Sequence, residues 1–306
     1  MTQSIDQALV IQFSEMCHLL AQQMGSRLKG KVEEMPVVGN EFVYEALGSL
    51  RAIEVTTRHA DTIGQDIMHT RRGGKMRNFV STLYLDPFDN LQVLIDPARK
   101  YAEQVARSMM IQYDRLCLEA ALGTVNTGRY LNVPLTASQD GVHQVVDNGT
   151  GLTYEKILEI KNTFYGNEVG VDYDEEMYLC ITEKQLIDLM KENEVISRDF
   201  SNFGNASMAG PTVIDSGRVK SILGMNIILF GAGDNVADPL LKKTNNVRHC
   251  IAFTKSGICV GMNKDLSVKI SDRPDKNHTI QIQASMFMDA IRTEGVRVQQ
   301  VDCLES

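Results

Sequence analysis

Leu9, Phe13, Met16, Cys17, Leu20 and Met24 recur three and four residues apart, while Gln7, Gln12, Glu15, Gln22 and Gln23 fall mostly on the other side. This spacing predicts an amphipathic helix over Ile5–Met24. The SRLKGKVEEMPVVGNEF that follows is polar and broken by glycine and proline, too poor in apolar residues to fold the helix back into a core. The helix is therefore expected to sit on an arm. Beyond it, Phe42-Val-Tyr, Ala52-Ile-Glu-Val-Thr-Thr and Met76–Leu85 are β-prone, and Gly73-Gly74 is placed to turn the chain. An extended two-stranded hairpin is expected there.

The clearest helix reads DPARKYAEQVARSMMIQYDRLCLEAALG. Asp96 can cap it, Pro97 suits its first position, Gly123 can end it, and Ala98, Tyr101, Ala102, Val105, Met109, Tyr113, Leu116 and Ala120 form one apolar stripe. Its length, roughly 40 Å at about 1.5 Å per residue, makes it a spine for the molecule. After a Gly-, Asn- and Thr-rich loop the pattern alternates. TYEKILEIKNTFYG and TEKQLIDLMKEN read as helices, EEMYLCI and SILGMNIILFG as strands. HCIAFTKSGICVGMNK reads as a hairpin, and HTIQIQASMFMDAIRTEGVRVQQVDCLE as two further strands turning at Arg292–Val296. The fold class is α+β, with no internal repeat.

Charge changes the picture at the hairpin. Val55–Arg77 carries Arg58, Arg71, Arg72, Lys75 and Arg77 against Asp61 and Asp66, a formal +3 within a chain of net charge -8. Burying such a set unpaired would cost several kcal/mol, so the stretch is expected to project and to meet something acidic. The acidic total argues against wholesale coating of nucleic acid. With 306 residues, 43% of them hydrophobic, the chain can bury a sizeable core.

Six cysteines stand far apart, without CxxC or Cys/His ligand spacing, and read as reduced core thiols. No stretch reaches about 18 uninterrupted apolar residues and no basic n-region opens the chain, so a soluble, intracellular protein without membrane contact is expected. Candidate chemistry is sparse. Gly231-Ala-Gly233 lacks the third glycine of a dinucleotide fingerprint, and Asp172, Asp174, Glu175 and Glu176 lack the pattern of a calcium loop. There is no HExxH and no GxSxG, and Met109, Met110, Met286 and Met288 read as core filler. No catalytic, cofactor or metal residue is assigned, and no cofactor is expected. An arm and a hairpin that cannot bury themselves within one subunit call for identical neighbours.

TTRHADT, MHTRR, IDPARKYAEQVARSM, AALGT and ASMFMDAIRTEGVRVQQVDC, together with the order of parts, resemble the major capsid protein family of tailed bacteriophages. That resemblance implies an N-terminal arm over 1–40, an extended loop over 41–85, and a peripheral domain over 86–130 and 260–306 with its spine helix at about 96–122. An axial domain would occupy 131–259. It implies a structural, non-enzymatic subunit forming pentamers and hexamers of an icosahedral head around double-stranded DNA, assembled in the host cytoplasm and resident in the virion capsid. Intersubunit contacts would come from Arg58, His59, Asp61, His69, Arg71 and Arg72 in the loop, and from Leu9, Phe13 and Leu20 in the arm. Implied partners are other copies of the chain, a separate scaffolding protein, a portal and a decoration protein, with non-specific proximity to the DNA. An acidic inner wall would leave the duplex mobile. A nanocompartment shell of the same fold, and a soluble metal-dependent α/β enzyme using Asp172–Glu176, are the alternatives.

Overall fold

The structure, a computed structural model, describes residues 23–54, 56–58, 61–85, 98–171, 175–192, 221–232 and 239–305. The helix expected at Ile5–Met24 lies outside these residues, apart from Gln23 and Met24, which are not helical. The chain divides into two compact units, one of residues 1–27, 77–114 and 264–288, the other of 28–76, 115–263 and 289–306.

In chain order the strands are β1 (Glu33–Pro36), β2 (Glu41–Leu47), β3 (His69–Lys75), β4 (Arg77–Leu85), β5 (Val125–Thr127), β6 (Val133–Leu135), β7 (His143–Val145), β8 (Met177–Thr182), β9 (Ser221–Ile222) and β10 (Met225–Phe230). They continue as β11 (Lys243–Thr244), β12 (Val247–Thr254), β13 (Ile258–Arg273), β14 (Thr279–Arg292) and β15 (Val298–Leu304). The helices are α1 (Ala98–Leu122), α2 (Tyr154–Gly166) and α3 (Glu183–Lys191). Among the described residues no helix is long and apolar enough to cross a membrane.

In the first unit β4 pairs antiparallel with β14, from Arg77↔Met288 to Leu85↔Ile280. Alternation along β14 buries Ile282, Ala284, Met286 and Met288, as a strand with one covered face requires. The predicted stripe of α1 holds from Val105 onward, with Val105, Met109, Tyr113 and Leu116 buried, whereas Tyr101 near the start of the helix is exposed. Asp114, buried within α1, accepts hydrogen bonds from Ser26 Oγ (2.6 Å) and the Arg27 amide (2.8 Å), tying the segment before β1 to the helix.

The second unit is built on a mixed sheet in the order β7-β15-β12-β8-β10-β9, with β11 beside β12. β8 runs parallel to β10 and antiparallel to β12, and every residue of β8 is buried. The apolar faces of α2 and α3 supply Ile157, Ile160, Phe164 and Leu189 to one core with Leu179, Ile181, Met225 and Val301. Thr153 caps α2 by accepting from the Lys156 amide, so both helices start where the sequence placed them.

Three readings need correction. Leu28, Val32 and Val37 are buried and β1 pairs in parallel with β13 (Glu33↔Cys259 to Pro36↔Met262), so this polar segment is held by strand pairing rather than hanging free. SILGMNIILFG is two strands, because Leu223 and Gly224 turn with positive φ. β12 and β13 are not a hairpin: the short helical turn Lys255–Gly257 sends them to different sheets. The two further strands with a turn between them are found as expected, β14 lying beside β4 and β13 and β15 between β12 and β7.

Candidate intersubunit surface

β2 and β3 form the expected hairpin, in antiparallel register from Glu41↔Lys75 to Leu47↔His69. Gly73-Gly74 does not turn it. Both glycines lie inside β3, where the strand passes so close to its neighbours that a side chain would collide. A Cβ on Gly74 would stand 2.6 Å from Asp289 Oδ2 and 2.7 Å from Phe42 Cε1. β3 also pairs with β5 (Arg72↔Thr127, Gly73↔Asn126) and β5 with β6, which anchors the base of the hairpin in a four-stranded sheet.

Gly48–Met68 connects the strands. Gly48 N donates to Met68 O (2.8 Å) and Gln65 Nε2 to Arg51 O (2.8 Å), so the two limbs stay paired beyond the sheet. Every described residue from Leu47 to Thr70 is exposed. These include Leu47 (65%), Leu50 (54%), Ile63 (67%) and Met68 (76%). Large apolar groups clustered on one projection are the usual mark of a surface that is covered by a partner.

Of the residues read from the sequence, Arg58 and Asp61 are exposed in this loop and His69 is exposed at the start of β3. His59, Leu9, Phe13 and Leu20 lie outside the described residues. Arg71 is exposed and its guanidinium pairs with Glu45 across the hairpin, Nε to Oε1 at 2.8 Å. Arg72 differs, and the expectation that it projects from the free subunit is corrected. Its two terminal nitrogens grip both oxygens of Asp140 at 2.6 Å, with the Arg72 side chain 12% exposed and that of Asp140 4%. Arg292 Nε donates to the same carboxylate at 2.6 Å.

Asp140 and Arg292 were not singled out in the sequence, although an arginine closing the apolar strand ASMFMDAIR was a legible signal. Arg292 is wholly buried. It also donates to Ala121 O (2.8 Å) and Gly123 O (3.0 Å), two carbonyls at the C-terminal end of α1 that no helical amide can reach. Burial pulls its guanidinium below the usual arginine range, and Asp140 acts in the opposite direction. One carboxylate thus ties the hairpin base, the end of α1 and the end of β14 together.

A second buried cluster closes the C-terminus. Glu305 takes Arg248 Nε (2.9 Å) and a terminal nitrogen (3.0 Å), Lys243 Nζ (3.1 Å) and Gln185 Nε2 (2.9 Å). Burial would raise its carboxyl, but these donors bring it down to about 2. Lys156, also buried, donates to the carbonyls of Asp147, Thr150, Gly151 and Asp302 at 2.8–3.0 Å, stitching α2 to β15.

In the acidic turn, Asp172 and Asp174 lie outside the described residues. Glu175 accepts from Arg297 (2.9 Å) and the Ser256 amide (3.0 Å), and Glu176 from Tyr178 Oη (2.6 Å), so both are structural. Among the described residues no group of three or more His, Cys, Asp or Glu is placed to hold a metal ion. Of the glycine pair at 231–233, Gly233 lies outside them, and the Ala232 amide donates to Glu183 Oε2 at 2.9 Å.

No curated protein matches the sequence. Solved structures match its fold along almost the whole chain at low identity. The capsid of Helicobacter pylori bacteriophage KHP30 aligns with a TM-score of 0.71 at 11% identity, covering 99% of this chain and 97% of that one. The cyanophage Pam1 capsid aligns at 0.71 and 10%, covering 95% of each. The capsid of cyanophage P-SCSP1u aligns at 0.69 and 13%, covering 98% and 94%. The fold is therefore that of the tailed-phage capsid subunit. The sequence also matches, over residues 5–305, the family described as phage capsid protein. With that match the exposed hairpin finds its context, and the chain belongs to the phage capsid protein family as a major capsid structural subunit.

Proposed function

We propose that copies of this subunit form the pentamers and hexamers of an icosahedral head around double-stranded DNA, and that the Gly48–Met68 loop of each copy lies over the adjacent one. Contacts come from Arg58, His59, Asp61, His69 and Arg71 in the hairpin, and from Leu9, Phe13 and Leu20 in the arm. Assembly takes place in the host cytoplasm on a separate scaffolding protein, with a portal at one vertex and a decoration protein added outside. The domain plan is the arm, loop, peripheral and axial arrangement of the family. The single observation that supports the loop contact is the exposure of all its described residues together with its large apolar side chains.

Replacing Leu50, Ile63 and Met68 by serine tests it. In an isolated subunit these exposed positions should change stability by no more than about 0.5 kcal/mol each. At an interface each buried side chain contributes about 1.5–3 kcal/mol, repeated at every subunit. A normal melt with no large particles in sedimentation is the expected result. Normal particles would refute the role of the loop.

A further inference from the structure

The base of the hairpin holds a groove of about 590 Å³, lined by Glu45, His69, Arg71, Arg72, Thr127 and Arg129 among others. Its charged lining is three arginines against one glutamate, a formal +2 on a chain of net charge -8. The cations are not fully spent within the subunit. Arg72 shares the single carboxylate of Asp140 with Arg292, which leaves an excess positive charge at the groove wall. Arg129 is exposed over the Tyr130 ring at 5.6 Å and has no carboxylate partner among the described residues. Arg71 has one carboxylate partner among the described residues, the exposed Glu45, and also donates to the Arg129 carbonyl at 3.4 Å.

The projecting loop carries the opposite charge on its returning limb. Asp61–Met68 contains Asp61 and Asp66 and no lysine or arginine, a formal -2. Both aspartates are exposed, and neither has a charged partner among the described residues. The limb also carries Ile63, Ile67 and Met68, all exposed. The base of the hairpin therefore presents an excess of cations, Arg129 foremost, and the returning limb presents two carboxylates without charged partners among the described residues.

We infer that the arginine groove at the base of the hairpin receives the Asp61–Met68 limb of a second copy of this chain, with Asp61 and Asp66 set against Arg71 and Arg129. A contact between two different patches of the same molecule is heterologous and propagates head to tail, closing into a ring when the rotation between copies allows. Complementary charge selects this partner and its register, while the apolar residues of the limb are covered in the same event. The inference rests on the proposal that the loop is an intersubunit element, and it names the loop's receptor.

A charge swap tests it. Arg71→Glu with Arg129→Glu takes the groove from +2 to -2, and Asp61→Arg with Asp66→Arg takes the limb from -2 to +2. Each pair alone should lower particle yield on the order of tenfold or more, and the four together should recover to within about threefold of the parent. Thermal melts confirm that each subunit is folded, and Arg129→Gln, which removes the charge without adding a carboxylate, serves as a milder variant that should lower yield in the same direction. Unchanged particles from either pair overturn the inference. So does a swap no better than the single pairs, which would assign the groove to another acidic partner such as a scaffold segment or nucleic acid. If the charge variants assemble normally while the Leu50, Ile63 and Met68 serine variant does not, only the groove assignment falls. If the serine variant also assembles, the loop reading falls with it.

Discussion

Removing the Asp140 carboxylate, as in Asp140→Ala, perturbs the point where the hairpin meets the body of its unit. The carboxylate accepts three guanidinium hydrogen bonds at 2.6 Å, two from Arg72 and one from Arg292, in surroundings where Asp140 is 4% and Arg292 0% exposed. Charge-assisted bonds contribute about 1.5–3 kcal/mol each, but these three share one acceptor and do not add. The larger effect is what remains behind: two guanidiniums held in a poorly hydrated site with no counter-charge. Breaking a buried pair from one side costs about 3–5 kcal/mol, a large share of a typical stability of ~5–15 kcal/mol. In urea, with an m-value of about 3 kcal/mol/M, the midpoint should fall by about 1–1.7 M. Arg71→Ala is the control: one residue away, it loses an exposed pair with Glu45 and a long exposed bond to the Arg129 carbonyl, and should cost about 0–1 kcal/mol. Urea titrations of isolated subunits followed by circular dichroism measure both. A loss under about 1 kcal/mol for Asp140→Ala, or equal losses for the two variants, would refute the buried knot.

Glu305 sets an acid limit. Its folded carboxyl at about 2, against an ordinary 4.5, contributes stability that is complete above about pH 4.5 and is lost as pH falls towards 2. The contribution is on the order of 2–3 kcal/mol, and Glu305→Gln should lower the neutral-pH melting temperature while flattening the decline below pH 4.5; parallel acid limbs would contradict this. Gly74→Ala places a methyl 2.6 Å from Asp289 Oδ2 and 2.7 Å from the Phe42 ring, an overpacking worth about 1–3 kcal/mol. A variant as stable as the parent would show that β3 has room there.

Where burial follows a local period, the chain could be read directly. The stripe of α1, the capped start of α2 and the largely apolar, wholly buried β8 each repeat a pattern that a single element must bury, whatever lies opposite. The family, too, was legible in short segments such as IDPARKYAEQVARSM and the C-terminal ASMFMDAIRTEGVRVQQVDC. Strand partnership was not. β12 and β13 are joined by a turn of three residues and look like a hairpin, as β14 and β15 look like consecutive strands, but a short link constrains only where a strand begins. Its neighbours are chosen by distant strands with apolar faces to cover.

Arg71 and Arg72 mark the boundary most sharply. By itself the sequence determined that a basic, β-prone stretch flanks a projecting loop, and that so much charge needs partners. Adjacent residues of a strand point to opposite faces, so one of the two had to turn towards the body. Which one, and whether a carboxylate waits there, depends on Asp140, 68 residues further along, and on Arg292, 152 beyond that. The same holds for Gly73-Gly74, a turn signal by composition and a close-packed strand in fact. Only the tertiary structure decided these matters, because the energy of a buried charge or a missing Cβ is set by neighbours in space, and those neighbours are remote in the chain.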